Sequence, residues 1–400
     1  MLVKNAGSRR STHRLLGALL VTIGSLMWTI PLSALNYDDQ EAQAVAAVIA
    51  SRWLSMGPET AAFEREFARA HGVPHAVAVH SGTAALYLAL RAVGIGPGDE
   101  VLLPSLTFVA TANAVLQCGA KPVFADITSA LRPLLDPDDV ARRITPQTRA
   151  ILPMHYGGSL CDMGALRTLA DAHDLALIED AAHAAGTANV GSRGDASCFS
   201  FYANKNLATG EGGMVLTHDE GIADTCRSLR SHGRNTSSHD KASGNMAADD
   251  VIAYGVNARI GEIASALGRV QLRKLTAGNQ RRRELRQRYA EDLQGSNITI
   301  PLAGGETASA CHLMVVALPP GSDRHKLRAI LADDGIQTSV HYPPVHQFSA
   351  FAPYTTALPI TEDLAPRLLS LPLHAQLTDD EVCAVTTCLL AALATEEPKS

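Results

Sequence analysis

Apolar and polar positions follow two rhythms along this chain, and the switches between them lay out its elements. From Asp38 to Ala50 the apolar residues Ala42, Val45, Ala46 and Ile49 recur at three- and four-residue intervals, which predicts a helix. Met56-Gly57-Pro58 breaks it, and Thr60 is placed to cap a second helix in which Phe63, Phe67 and Ala70 share a face as far as Gly72. The apolar run Ala76-Val77-Ala78-Val79 then predicts a strand, Ser81-Gly82-Thr83 a turn, and Ala84 to Val93 a helix ended by Gly94. The unit repeats. Further strands are expected at Glu100 to Leu103, Pro122 to Ala125, Ala150 to Pro153, Ala176 to Ile178, Ala196 to Phe201 and Gly213 to Leu216, with helices at Phe108 to Cys118 and Leu160 to His173. Short apolar strands separated by helices imply an α/β fold, a mainly parallel central sheet covered by helices on both faces.

Residues Asn235 to Asp250 are polar and without a period, which reads as a mobile loop. Gly261 to Leu275, with Ile263, Leu267 and Val270 on one face, reads as a long amphipathic helix leaving the main lobe. Strands near Met314 to Leu318 and Thr338 to His341, and helices at Arg324 to Asp333 and Asp379 to Leu393, make a smaller C-terminal α+β domain. The expected division is an apolar extension at 1–30, a large domain with an N-terminal arm at 31–260, and a linking helix with the small domain at 261–400.

The net charge of −6 comes from mixed charges without long blocks, so there is no electrostatic footprint for nucleic acid. Arg281-Arg282-Arg283, Arg286 and Arg288 are interleaved with or followed by Glu284, Glu291 and Asp292 and read as a solvated helix face. Seven scattered cysteines form no Cys-x-x-Cys pair, which fits a reducing cytoplasm, and 15 dispersed histidines give no metal-ligand spacing. Lys4, Arg9, Arg10 and Arg14 precede an apolar stretch from Leu15 to Ile30, shorter than the ~20 residues a spanning helix needs. Three readings fit it: a true translation start at Met27, which we expect, a membrane anchor, or a cleaved signal.

Lys205 concentrates the chemistry. It follows the strand-like Ser200-Phe201-Tyr202 and leads into Thr209-Gly210-Glu211-Gly212-Gly213, the setting of a Schiff-base lysine. Ser81-Gly82-Thr83 opens a helix after a strand, where free amides and the helix dipole suit a phosphate. Asp180 ends a strand, where its carboxylate can keep a pyridine nitrogen protonated or, more blandly, cap a helix at Ala181 to Ala185. Ser200 can donate to the phosphate. Together these residues supply what pyridoxal 5'-phosphate requires, with Lys205 and Asp180 as the catalytic pair.

With these motifs, and with Met56-Gly57-Pro58-Glu59, Pro104-Ser105-Leu106-Thr107-Phe108, Glu179-Asp180-Ala181-Ala182-His183-Ala184, Gly255-Val256-Asn257-Ala258-Arg259 and His341-Tyr342-Pro343-Pro344, the chain resembles the DegT/DnrJ/EryC1/StrS sugar aminotransferases over roughly residues 30 to 390. The resemblance implies a fold type I aminotransferase. It also implies that Gly82 and Thr83 bind the phosphate, that Phe108 stacks on the cofactor ring, that His183 lies near its phenolic oxygen, and that Asn257 reaches the cofactor phosphate of a neighbouring subunit in a homodimer. Asn204, Ala258 and Ile260 depart from the usual pattern, and lysine stands at position 205 where dehydratase relatives carry histidine. The expected reaction is transamination of a nucleotide-linked keto-sugar by glutamate or glutamine in the cytoplasm. The alternatives are a same-fold enzyme working on a cyclitol or aromatic precursor or as a dehydratase, and a non-catalytic cofactor-binding regulator tethered through the N-terminal run.

Overall fold

The computed structural model of the chain describes residues 28–235, 250–304 and 308–395. The expected N-terminal extension, up to residue 27, and the expected polar loop, from 236 to 249, lie outside them.

Strands β1 (His75–Val79), β2 (Glu100–Pro104), β3 (Lys121–Ala125), β4 (Thr148–Ile151), β5 (Ala176–Asp180), β6 (Ala196–Ser200) and β7 (Gly213–Thr217) form one seven-stranded sheet in the order β1-β7-β6-β5-β4-β2-β3. All pairings from β6 to β3 are parallel, whereas β7 is antiparallel to both its neighbours. The reason is the connection: the short loop from Ser200 to Gly213, which carries Lys205, holds no crossover helix, so the chain returns in the opposite sense. Strands β1 to β6 therefore share a direction, and Ser81, Asp180 and Ser200 come out at the same carboxyl edge, where open α/β sheets bind ligands.

Helices cover both faces. Val77 and Val79 point into a core with Leu86, Leu88 and Leu90 of α3 (Gly82–Ala92), Val115 of α4 (Val109–Gln117) and Leu229 at the end of α7 (Glu220–Leu229). Ala76 and Ala78, on the alternate face of the strand, join Phe63 and Phe67 of α2 (Pro58–His71) and Phe199 and Phe201. Between α4 and α7 the chain also forms α5 (Pro137–Arg143), a short helix its periodicity does not announce, and α6 (Met163–Ala172). Ahead of α2 lies α1 (Asp39–Ser51), with a capping box between Asp38 and Glu41.

Two expectations change. Thr60 does not cap α2; the cap residue is Gly57, and the carboxylate of Glu262 accepts the amides of Gly57, Glu59 and Thr60 at 2.7–2.9 Å. A cap supplied from two hundred residues away leaves no local signal. The predicted amphipathic helix is also far longer, running as α8 (Glu262–Asp292) beneath the second lobe. There Arg282 and Arg286 are buried rather than solvated. Arg282 donates to the Leu373 carbonyl at 2.7 Å, and Arg286 donates to the carbonyls of Leu313 and Pro301. A guanidinium has enough donors to satisfy several such chain ends at once.

The second lobe pairs β8 (Met314–Ala317) with β9 (Leu368–Leu371) in antiparallel fashion, with α9 (Arg324–Asp333), α10 (Pro359–Leu364) and α11 (Asp379–Ala394) around them. Leu285 and Tyr289 of α8, Leu327, Leu331, Val385 and Leu389 form its core. The expected strand from Thr338 to His341 reduces to a single bridge between Ser339 and Ser370. Among the described residues no helix is long and apolar enough to cross a membrane.

Candidate active site

Lys205 sits in the β6–β7 loop, its amide bonded to the Tyr202 carbonyl at 2.9 Å. Burial pushes its amine down to about 8, and the negative charge of Asp180 restores only part of the loss. Such an amine is neutral in an appreciable fraction near physiological pH.

Asp180 is buried at the end of β5. Its Oδ2 accepts from the Thr111 hydroxyl at 2.6 Å and its Oδ1 from the Ala182 amide at 3.1 Å. Burial pushes its carboxyl above the usual range, and these bonds with the charge of Lys205 do not offset it. Residues 181–185 form turns and no helix, so the Ala182 bond closes a local turn. The Thr111 hydroxyl, on the first turn of α4, also meets Thr107 at 2.7 Å. Thr111 lies three residues beyond Phe108, yet nothing in the sequence marks it as the partner of Asp180.

A group of rings closes the other side. His183 is buried; Gly157 donates to its Nδ1 at 3.3 Å, which leaves the proton on Nε2 facing the Tyr342 hydroxyl at 2.9 Å. The His312 ring lies 4.3 Å from that of His183, centroid to centroid, and Phe108 lies 5.8 Å from Tyr342. His341 bonds Ser370 through Nδ1 at 2.8 Å. Burial, then the neighbouring positive charges, hold His183 and His312 well below the usual imidazole value and His341 at about 4. These histidines are neutral at pH 7. Sequence reasoning assigned a role to His183 alone and named His341 and Tyr342 only within a motif; the placement of His312, His341 and Tyr342 depends on the second lobe folding over the sheet edge.

The expected phosphate end is assembled as well. Ser81 caps α3, its Oγ accepting from Ala84 at 3.2 Å, and Ala85 bonds the Ser81 carbonyl, so the amides of Gly82 and Thr83 stay outside the ladder of the helix. Ser200 closes against them: a Cβ on Gly82 would stand 2.8 Å from Ser200 Cβ, which only glycine permits. Phe108, the residue before α4, is 53% exposed and so is not part of the core. Asn257 is exposed and bridged to Ser231; the carbonyl of the next residue, Ala258, takes the His80 amide at 3.0 Å, beside Ser81. Asn204, next to the lysine, has a buried Oδ1 without a partner among the described residues.

These residues match the demands of pyridoxal phosphate: an amine depressed by burial, a buried carboxylate suited to a protonated pyridine nitrogen, and free helix amides with a hydroxyl for a phosphate. Among the described residues no cluster could hold a metal ion.

The chain is 41% identical over 367 residues, 88% of its length and 94% of the relative's, to the spore coat polysaccharide biosynthesis protein SpsC of Bacillus subtilis. Its structure is similar to that of Helicobacter pylori PseC, an aminotransferase involved in the biosynthesis of pseudoaminic acid (29% identity, TM-score 0.85, 92% of this chain and 99% of that one). It is also similar to DesI in the presence of its TDP-sugar product (32% identity, TM-score 0.82, 92% and 94%). Structures of this kind include PLP and PMP forms. The family pattern that fits residues 36–390 accounts for both the sheet and the lysine beyond it: the chain belongs to the DegT/DnrJ/EryC1/StrS aminotransferase family, whose members are pyridoxal-phosphate-dependent enzymes of fold type I.

Proposed function

We propose that this aminotransferase moves an amino group from glutamate or glutamine to the keto group of a nucleotide-linked sugar, with its cofactor held on Lys205. The observation that carries the reading is the pairing, at one carboxyl edge, of a half-buried lysine pushed down to about 8 with a buried carboxylate pushed up. The relatives serving polysaccharide, pseudoaminic acid and TDP-sugar chemistry support the sugar substrate.

When bound, pyridoxal phosphate supplies an electron sink and carries the amino group between the two substrates. Asp180 would keep the pyridine nitrogen protonated through its carboxylate. The Nζ of Lys205 would take up and give back the proton of the donor's α-carbon. Gly82, Thr83 and Ser200 would hold the phosphate, and Phe108 and His183 would line the ring. The neutral state of His183, His312 and His341 keeps further positive charge away from the lysine.

Exposed Val251, Ile252 and Tyr254 beside Asn257 support a homodimer in which a second copy covers this patch and receives Asn257 at its own phosphate site. The division into lobes at residues 31–260 and 261–400, and a cytoplasmic location, complete the proposal. The aminated sugar would enter a glycan, a lipopolysaccharide or a glycosylated natural product.

The test begins with borohydride, which should fix the cofactor to the peptide containing Lys205; label elsewhere rejects the assignment. A panel of keto-sugar nucleotides with glutamate should then release 2-oxoglutarate for at least one member, and silence across the panel rejects the sugar. Mixed Lys205→Ala and Asn257→Ala subunits should regain part of the activity; no recovery despite proven subunit exchange rejects the shared site. A chain begun at Met27 should be as active as the whole; native protein that retains residues 1–26 and sediments with membranes rejects that start.

A further inference from the structure

Of the ring side chains near Lys205, His312 is attached to the lysine's own loop. Its Nδ1 meets Asn206 Oδ1 at 2.9 Å. The Asn206 amide is committed elsewhere, donating to Asn279 Oδ1 at 2.7 Å and to the Ala310 carbonyl at 2.8 Å, so its oxygen must accept and His312 Nδ1 must carry the proton. Asn279, from α8, in turn donates to the Ala185 carbonyl at 2.9 Å, two residues beyond His183. The backbone amide of His312 bonds the Gly157 carbonyl at 2.9 Å, and Gly157 is the residue whose amide faces His183 Nδ1. One buried residue thus touches, through its ring, the residue after Lys205 and the ring of His183 and, through its backbone amide, the turn that orients His183.

We infer that His312 is a positioning residue: it ties the Lys205 loop to His183, so that the lysine nitrogen and the imidazole keep a fixed relative placement. The inference rests on the transaminase reading above. The site selects histidine for two separate properties, a donor at the δ position and a flat ring 4.3 Å from that of His183. His312→Asn keeps the donor and loses the ring. His312→Phe keeps the ring and leaves Asn206 Oδ1 buried without its donor, at the cost of an unmade hydrogen bond. His312→Ala loses both and opens space for water beside the lysine.

The groups facing Lys205 are Asp180 from β5 and the neutral His183, His312 and His341, so water entry, which relieves burial, is the change its titration reads. The full chain stripped of cofactor is treated with trinitrobenzenesulfonate across a pH series, with Lys205→Ala as the blank. The parent should label Lys205 with a midpoint of about 8. His312→Ala, which admits water, should move that midpoint upward, towards the value of an exposed lysine; His312→Asn, which also loses the ring, should move it part of the way, and His312→Phe, which keeps the space filled, should leave it close to the parent. In the loaded enzyme, His312→Ala should lower kcat by about 10- to 10²-fold, the scale of a misplaced catalytic group, with KM for both substrates held within about two-fold. An unchanged midpoint in folded His312→Ala overturns the inference, as does a loss confined to KM. Should no keto-sugar be turned over by the parent, the midpoints still decide the role of His312, and only the transaminase reading falls.

Discussion

Glu179 and Asp180 are consecutive residues at the end of β5, both buried, and the fold treats them in opposite ways. Glu179 takes His155 Nε2 at 2.9 Å and the amides of Gly191 and Gly194 at 3.1 and 2.8 Å. Burial pushes its carboxyl up, but these bonds more than offset that and hold it below the usual range. Asp180, on the other face, has two bonds and remains above the usual range. The lysines repeat the contrast. Lys274 lies within 3.0 Å of Glu41 and Asp38, and although burial opposes it, these partners raise its amine. Lys205 has no hydrogen-bond partner for its amine among the described residues, and its value falls. Where the protein uses a charge for structure it saturates it; at the site it leaves lysine and carboxylate poorly compensated, which suits chemistry near pH 7.

The comparison is broken most severely at Lys205. Lys205→Ala should abolish turnover and borohydride labelling while circular dichroism stays that of the parent, because the loop is anchored by Asn206 and not by the amine. Residual transamination above background would show that another amine serves.

Asp180→Asn comes next, at about 10³-fold in rate, equivalent to roughly 4 kcal/mol of barrier, with Asp180→Glu milder. Its effect on the cofactor-free protein should run the other way. A carboxyl whose folded value is raised makes the native state bind more protons than the unfolded one, so stability falls as pH rises through the window from the ordinary value to the folded one. Near neutrality the charge is a cost. Asparagine removes it, and Thr111 can turn its hydroxyl to the Phe108 carbonyl at 3.0 Å. Thermal melting without cofactor should therefore rise at pH 7 and converge with the parent in acid; a fall at pH 7 contradicts the contrast with Glu179.

Glu179→Ala should do the reverse, lowering stability by about 3–5 kcal/mol because a buried bonding set loses its centre. The sign is that of a depressed carboxyl: its contribution is present above the ordinary carboxylate value and fades as pH falls through the folded one. Urea melts at pH 7 and in acid read this difference directly, and whatever protein remains folded should keep its cofactor. The smallest effect is expected from Lys274→Met, about 1 kcal/mol with unchanged kcat, since that ammonium is part of a partly exposed cluster. A rate effect there would mean that the arm and α8 communicate with the site.

By itself the sequence determined the alternating strands and helices, because each carries its period locally. It also determined the lysine, the aspartate and the glycine turn, because their chemistry is written in residue type and order. Tertiary structure decided what depends on distant partners. The carboxylate of Glu262 caps α2 from the start of α8, Arg282 and Arg286 are buried against carbonyls, and Thr111 reaches Asp180 from another strand's helix. His312 is a lone histidine in sequence and becomes part of the site once α8 and the second lobe close over the sheet edge. Hydrophobic period is a property of neighbours along the chain, whereas burial of a charge and the partners that compensate it are properties of neighbours in space.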